Sequence, residues 1–395
     1  MSNNFTKEQS LFLSILRSVL SENSSINQYE NLTSSEFDFI IDQAVHHKVI
    51  NIVSLAFNRK CFDFLPGEII DRVNELNREE VIKNMYLTNE LSELNKEFNS
   101  KKLEFILLKG PALGGELYDD LNLRQIGDLD LLVRKEEMDE AANLLLNRGY
   151  NYFFELTDRQ RKLYEESSIY LSDHDMHYSF FQTEKKIFVE LHWALMPEKY
   201  SFSQKTDGLF SRKKIINING NKINTLSDED LILFLSLHGI KHGWSRLFWI
   251  CDIVRFLIVK DSIDWGSVIK RAKKLNYSRS LFIALKTTEY IIPGLLKGEL
   301  LNIIKNDREV NRISKIIREN LFNYDNSLGS KNSNKIFVRS MERYSDKIHF
   351  YTDRLFRPTI YEVELIKLPK QLIFIYYFIR PIRLITKYTV KLFSN

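Results

Sequence analysis

The sequence predicts an α+β protein in which a small mixed-sheet core is flanked by N-terminal and C-terminal helical regions. Apolar residues such as Leu11, Ile15 and Val19 recur at helical spacing before residue 100. Short apolar runs separated by polar turns follow, and such runs are typical of β-strands. After Ser227 the apolar residues return to helical spacing. The chain is therefore expected to be helical, then mixed, then helical again.

The chain has 395 residues, enough for two or three domains, and its composition is that of a folded protein. We divide it into an N-terminal helical region (1–100), an α/β core (101–225), a C-terminal helical domain (226–322), a flexible loop (323–335) and a basic amphipathic C-terminal region (336–395). The loop is predicted from its polar, Ser/Asn-rich sequence, NYDNSLGSKNSNK.

Individual elements follow from apolar spacing and from turn and capping residues. The N-terminal region is predicted to contain a helix over 35–49, with start signals at Ser34 and Glu36, and a long helix over 68–98 that packs one stripe on the core. A charged stretch at 157–166 is expected to be a loop or a short helix. The predicted core helices cover 111–118 and 135–148, and the predicted strands cover 103–108, 129–133, 150–156, 169–171, 178–181 and 187–193.

Bulk properties limit the classes of function. The net charge of +4 is too small on this length to imply nucleic-acid binding by itself. Cys61 and Cys251 form no zinc or disulfide pattern. The N-terminus lacks a signal-peptide pattern, and no uncharged apolar run reaches about 18–20 residues, the length that spans a membrane. We therefore expect a cytoplasmic protein.

The first candidate site consists of two carboxylates, one immediately before the predicted strand 129–133 and one within it. Asp128 and Asp130 are two residues apart, so they project from the same face of an extended chain. Two like charges side by side are costly without a compensating cation, and oxygen ligands suit Mg²⁺. The pair alone is a weak signal, because Asp-x-Asp also occurs in exposed turns and strand ends.

Glu190 is a further acid, located inside the apolar run KIFVELHW. Burying a carboxylate without a partner is costly, so Glu190 either forms a salt bridge, for example with Arg124, or completes a metal site. We favour the metal site. His192 shares the face of Glu190 and would either contact an acceptor or a phosphate, or orient Glu190.

Four sequence runs together resemble a known family over roughly Leu103 to Leu257. They are LLKGPAL, LR-x-x-GDLDLLV, VELHW and LSDEDLILFLSLHGIKHGWSRLFWICDI. This combination resembles the uncharacterised bacterial nucleotidyltransferase-like family of the polymerase-β-type nucleotidyltransferase superfamily. The resemblance implies a nucleotidyltransferase core that moves a nucleoside monophosphate from an NTP to an acceptor hydroxyl and releases pyrophosphate. The acceptor, whether a small molecule, a peptide, a protein or an RNA, is not encoded in any motif.

The resemblance also implies roles for individual residues. The acids Asp128, Asp130 and Glu190 would be catalytic and would bind Mg²⁺ or Mn²⁺, and the Lys109-Gly110 turn would hold the phosphates. Pro111 departs from the family pattern, in which Gly-Ser is common, because Pro has no N–H to donate to a phosphate. This departure favours the alternative function, a non-catalytic nucleotide-binding or scaffold module with the same fold. The presence of all three acids argues against it.

Further cationic and imidazole side chains are candidate nucleotide or acceptor contacts. Arg124 is expected to steady the phosphates. His238, Lys241 and His242 share one helix face, either as a polar patch facing solvent or as a basic wall over the nucleotide with Lys241 and His242 near the phosphates. In the second case His238, like His192, is a candidate acceptor contact.

Two other segments are rich in charged or metal-binding residues. Residues 365–395 contain six Lys or Arg and no Asp or Glu, interleaved with aromatic and aliphatic residues. This composition fits peripheral contact with a membrane surface or a nucleic-acid patch, although we prefer a C-terminal helix packed on the protein with a basic outer side. The cluster Asp173, His174, Asp175 and His177 is too short and lacks the cysteines of a strong zinc pattern.

Overall fold

The structure, a computed structural model, describes residues 5–21, 32–59, 65–153, 176–202, 206–322 and 326–393. The α-helices are α1 (Lys7–Leu20), α2 (Ser34–His46), α3 (Ile50–Asn58), α4 (Gly67–Ser100), α5 (Pro111–Leu117), α6 (Met138–Asn147), α7 (Thr206–Arg212), α8 (Asp228–Lys241), α9 (Leu247–Val259), α10 (Trp265–Lys274), α11 (Ser278–Thr287), α12 (Gly298–Asn306), α13 (Arg308–Asn320), α14 (Asn326–Ser340), α15 (Tyr344–Phe356), α16 (Ile360–Leu365) and α17 (Tyr376–Phe393). The strands are β1 (Ile106–Leu107), β2 (Leu129–Leu132), β3 (Asn151–Tyr152), β4 (His177–Gln182), β5 (Ile187–His192), β6 (Lys214–Ile218) and β7 (Asn221–Thr225).

The predicted α+β fold class is confirmed. The described strands form a seven-stranded mixed sheet with the order β3-β4-β5-β2-β1-β7-β6. Strands β1 and β7 are parallel, with Leu107 opposite Thr225, whereas β3–β4, β4–β5 and β6–β7 are antiparallel. Helices precede and follow the strands along the chain, as the change in apolar spacing predicts.

The chain divides into two compact units, each built from non-contiguous segments. The first unit contains residues 1–131 and 207–342, and the second contains residues 132–206 and 343–395. The domain boundaries predicted from the sequence are contiguous, because apolar spacing does not show which distant segments return to the same unit. Among the described residues, no helix is both long and apolar enough to cross a membrane.

Helix α2 begins at Ser34, one residue before the predicted start, and ends at His46, three residues before the predicted end. Thr33 caps α2 by accepting from the backbone N–H of Glu36, and the Glu36 carboxylate accepts in return from the backbone N–H of Thr33. The predicted helix over 68–98 is observed as α4, which buries one stripe and exposes the remainder. The buried apolar residues of α4 are Val73, Leu87, Leu91, Leu94 and Phe98.

The prediction of a flexible loop over 323–335 is wrong from Asn326 onward, because α14 begins at that residue. Its C-terminal half buries Ile336, Phe337 and Val338. The Ser333 hydroxyl donates to the carbonyl of His242 at 3.2 Å, just beyond the end of α8. Tertiary contacts therefore outweigh the low helix propensity of this Ser/Asn-rich segment.

The second unit contains the predicted hairpin of β4 and β5. Its register pairs His177 with His192 and Ser179 with Glu190. The backbone N–H of Val133 donates to the carbonyl of His192 at 2.8 Å, which ties the end of β2 to β5. The predictions over 154–156, 157–166 and 169–171, and those for Asp173, His174 and Asp175, lie outside the described residues.

Candidate active site

The turn between β1 and α5 requires glycine. Gly110 has a φ of +72°, in the left-handed region that side chains disfavour. A Cβ added there would lie 3.4 Å from Ile126 Cγ2 and 3.5 Å from the carbonyl oxygen of Asp128. Pro111 occupies the first turn of α5, where its missing N–H breaks no helix hydrogen bond. The Lys109-Gly110 turn therefore packs closely on the segment that carries the acids.

Lys109, Asp128 and Asp130 are brought together in the first unit. The backbone N–H of Leu108 donates to the carbonyl of Asp130 at 3.0 Å, which aligns the end of β1 with β2. The Lys109 ammonium nitrogen lies 3.2 Å from an Asp130 carboxylate oxygen and 3.6 Å from one of Asp128. Asp130 is 2% exposed, whereas the Asp128 side chain is 31% exposed. One cation thus faces two acids, one buried and one accessible to solvent.

A second lysine, Lys48, lies near Asp128, and sequence reasoning missed it. It follows α2 in a left-handed conformation, with a φ of +56°. Its ammonium nitrogen would lie 3.7 Å from a Cβ placed on Gly127. Desolvation lowers the pKa of Lys48, and the negative charge of Asp128 partly opposes that shift. Because Lys48 lies 80 residues upstream of Asp128 and in no motif, only the folded chain shows their proximity.

The C-terminal end of α8 presents the predicted face of His238, Lys241 and His242, and all three side chains are half-buried. The His242 ring stacks on Trp249 with centroids 5.2 Å apart, and the His238 ring lies 4.7 Å from that of His242. Desolvation lowers the pKa of His238 well below its usual value, and the charge of Lys109 lowers it further. His238 is therefore neutral near pH 7 and lies within electrostatic range of Lys109.

Arg124 is held by a buried acid rather than exposed at the surface. Its Nε and Nη2 atoms donate to Asp252, with distances of 3.0 to 3.1 Å, and both side chains are at most 5% exposed. Tyr118 also donates to Asp252, at 2.9 Å. Although desolvation lowers the pKa of Arg124, the nearby Asp252 carboxylate raises it above its usual value. The phosphate contact expected of Arg124 remains a prediction.

Asn84 on α4 clamps the loop that leads to Asp128, and no sequence motif indicated it. Its amide nitrogen donates to the carbonyl of Arg124 at 2.9 Å and to that of Leu121 at 3.2 Å. Its amide oxygen accepts from the backbone N–H of Ile126 at 3.0 Å. The side chain is almost fully buried. Asn84 therefore fixes the backbone on which the acids are presented.

Glu190 lies in the second unit between two imidazoles on one face of the β4–β5 hairpin. His192 Nε2 is 3.2 Å from one Glu190 oxygen, and His177 Nε2 is 4.0 Å from the other. One ligand atom from each of the three residues lies within 4.8 Å of the others. This arrangement orients the carboxylate, and its imidazole and carboxylate donors are also those of a divalent-metal site. His192 thus contacts Glu190, as its position on the same strand face predicts.

Comparison with known proteins identifies the family. A family model described as an uncharacterised nucleotidyltransferase matches residues 33–293. The chain therefore belongs to this nucleotidyltransferase family. It is also similar to the crystal structure of an antigenic nucleotidyltransferase-like protein from Paracoccidioides brasiliensis, with 15% identity, a TM-score of 0.28, and coverage of 55% of this chain and 92% of that chain. No curated protein matches the chain.

Proposed function

We propose that the protein is a metal-dependent nucleotidyltransferase of the polymerase-β type, which moves a nucleoside monophosphate from an NTP to an acceptor hydroxyl and releases pyrophosphate. Family membership supports nucleotidyl transfer as the class of reaction. The observation that carries the finer proposal is the pairing of Asp128 and Asp130 with Lys109 at the adjoining ends of β1 and β2. Two acids and a cation at such a position suit a metal-bound polyphosphate.

The proposed metal ligands are Asp128, Asp130 and Glu190, and the proposed ion is Mg²⁺ or Mn²⁺. The donor chemistry fits, because carboxylate oxygens are the preferred ligands of both ions. Glu190 is included because its carboxylate offers the same oxygen donors as the two Asp side chains. A bound divalent ion would neutralise phosphate charge and lower the pKa of the attacking hydroxyl.

The cations of the first unit are proposed to bind the triphosphate. Lys109 acts as a point charge on the phosphates and compensates for the backbone N–H that Pro111 lacks. When a phosphate approaches, Lys109 exchanges a carboxylate partner for a phosphate oxygen. Lys241 and His242 form the basic wall, and the influence of Lys109 on the pKa of His238 supports placing that wall near the phosphates.

Arg124 keeps a proposed role in phosphate binding, but its hydrogen bonds favour an indirect one. Its guanidinium is bound to Asp252, and its carbonyl accepts from Asn84. Arg124 therefore positions the 124–127 loop and adds positive potential from a distance, instead of touching a phosphate. His192 is proposed to orient Glu190 or to contact the acceptor or a phosphate, and His238 is proposed as a neutral contact for the acceptor.

A non-catalytic nucleotide-binding module is the second candidate, and the observation that favours it is Pro111 in the phosphate turn. Pyrophosphate release with each NTP, Mg²⁺ and an acceptor panel separates the two. We expect release from the unaltered protein and none from the double variant Asp128→Asn, Asp130→Asn. Asp139→Asn, which alters an exposed acid on α6, is the control and should retain activity. Triphosphate binding without release over the whole panel would favour the module.

The proposed setting is the bacterial cytoplasm.

A further inference from the structure

Two C-terminal helices of the second unit expose apolar stripes. On α15, Tyr344, Ile348, Tyr351 and Leu355 are all exposed. Their spacing of four, three and four residues places them on one helix face. Helix-forming segments normally bury such a face, so an exposed stripe of this kind marks an interaction surface.

Helix α17 repeats the pattern. Phe378, Ile382 and Ile385 are spaced by four and three residues, and each is more than 60% exposed. Phe374, just before the helix, and Tyr377, in its first turn, are also exposed. Helices α15 and α17 pack on each other, and Arg380 Nε donates to the carbonyl of Arg354 at 3.1 Å. The two stripes therefore belong to neighbouring helices.

These helices already have a buried side, so the exposed stripes are not their core faces. Tyr376 packs in a small cluster with Ile360 and Val363, and its hydroxyl donates to the carbonyl of Ile366 at 2.7 Å. Glu362 is fully buried and is bound by Arg380 and Arg383. One side of α17 thus packs on the second unit, and the apolar stripe lies on the side that faces solvent.

The charge of the segment indicates what covers the stripes. Residues 365–395 contain six basic and no acidic residues; Arg380 and Arg383 are paired with Glu362, and the other four are lysines. A symmetric contact between two copies would bring these positive segments together, which is unfavourable. A surface that is apolar and negatively charged complements both features, and a bilayer with anionic lipids has that chemistry.

We propose that α15 and α17 bind the surface of an anionic membrane, with their apolar stripes inserted at the headgroup level and the basic side chains near the lipid phosphates. The binding is in the plane of the interface, because neither helix is long and apolar enough to span a bilayer. It is independent of the proposed nucleotidyl transfer, since its measurement requires no nucleotide.

The test of the stripes is sedimentation of the full chain with vesicles of equal parts phosphatidylcholine and phosphatidylglycerol. Ile382→Asp and Ile348→Asp should each weaken binding about tenfold, because a charge replaces an apolar side chain that inserts into the membrane interface. Ile215→Asp is the matched control, since Ile215 on β6 is 63% exposed and Ile382 is 64% exposed. Binding that is equal in all three variants would overturn the proposal.

The contribution of charge to vesicle binding is tested with pure phosphatidylcholine vesicles, with high salt, and with a variant that reverses the charge of one lysine. Binding should fall in both conditions, and Lys387→Glu should weaken it several-fold while the exposed Lys101→Glu has no effect. Light scattering in solution completes the experiment. The proposal would be refuted if the protein does not bind vesicles and forms a dimer that Ile382→Asp dissociates. The stripes would then bind a second copy of the chain instead of a membrane.

Discussion

Replacement of Asp252 by Asn tests the buried ion pair that supports the catalytic loop. The carboxylate accepts a bifurcated hydrogen bond from Arg124 Nε, one from Nη2 and one from Tyr118, with distances between 2.9 and 3.1 Å. The Asn side chain has nearly the same shape but no charge, so the buried guanidinium loses its counterion. Removal of one partner of a buried ion pair costs about 3–5 kcal/mol. We expect the free energy of unfolding to fall by about that amount.

Urea unfolding followed by circular dichroism measures the effect, with Asp261→Asn at an exposed position as control. The control should change the free energy of unfolding by less than about 0.5 kcal/mol. A double variant, Arg124→Met with Asp252→Leu, should recover most of the loss, because it removes both charges and keeps the volume. A loss below about 1 kcal/mol in Asp252→Asn would refute the assignment of this pair as a structural support.

Three further predictions concern the same unit. Asn84→Ala should lower the melting temperature and weaken triphosphate binding in calorimetry, because it frees the backbone N–H of Ile126; unchanged binding would contradict the clamp. Gly110→Ala should destabilise the protein by about 1–2 kcal/mol, like Gly220→Ala at a similar positive φ, but only Gly110→Ala should also weaken triphosphate binding. The hydrogen bond from Lys7 lowers the pKa of Glu36 to about 2, so its stabilising contribution is present above pH 4.5 and is lost as the pH falls towards 2. Glu36→Gln should remove that part of the acid-induced decrease in melting temperature, and an unaltered pH profile would contradict it.

Local patterns predicted the parts of the site that depend on neighbouring residues in sequence. The two-residue spacing of Asp128 and Asp130 places them together, and the Gly110 turn follows from a strand end before a short helix. Glu190 and His192 share a strand face for the same reason. Each of these relations is fixed by the period of one or two elements, so the sequence contains it.

Relations between distant segments could not be predicted in this way. The partner of Arg124 is Asp252, 128 residues away, and the clamp on its loop is Asn84, 40 residues away. Lys48, just after the end of α2, lies near Asp128 and belongs to no motif. The Ser/Asn-rich segment around Ser333 was expected to be a loop because its propensity is low, but packing on α8 makes it helical.

The most direct test of the proposed reaction is mass spectrometry of an acceptor panel after incubation with each isotopically labelled NTP and Mg²⁺. A transferred nucleoside monophosphate should appear on one class of acceptor with the unaltered protein. It should be absent when the metal is chelated and in the double variant Asp128→Asn, Asp130→Asn. Transfer that persists at the same rate in that variant would contradict a metal-dependent mechanism at these acids.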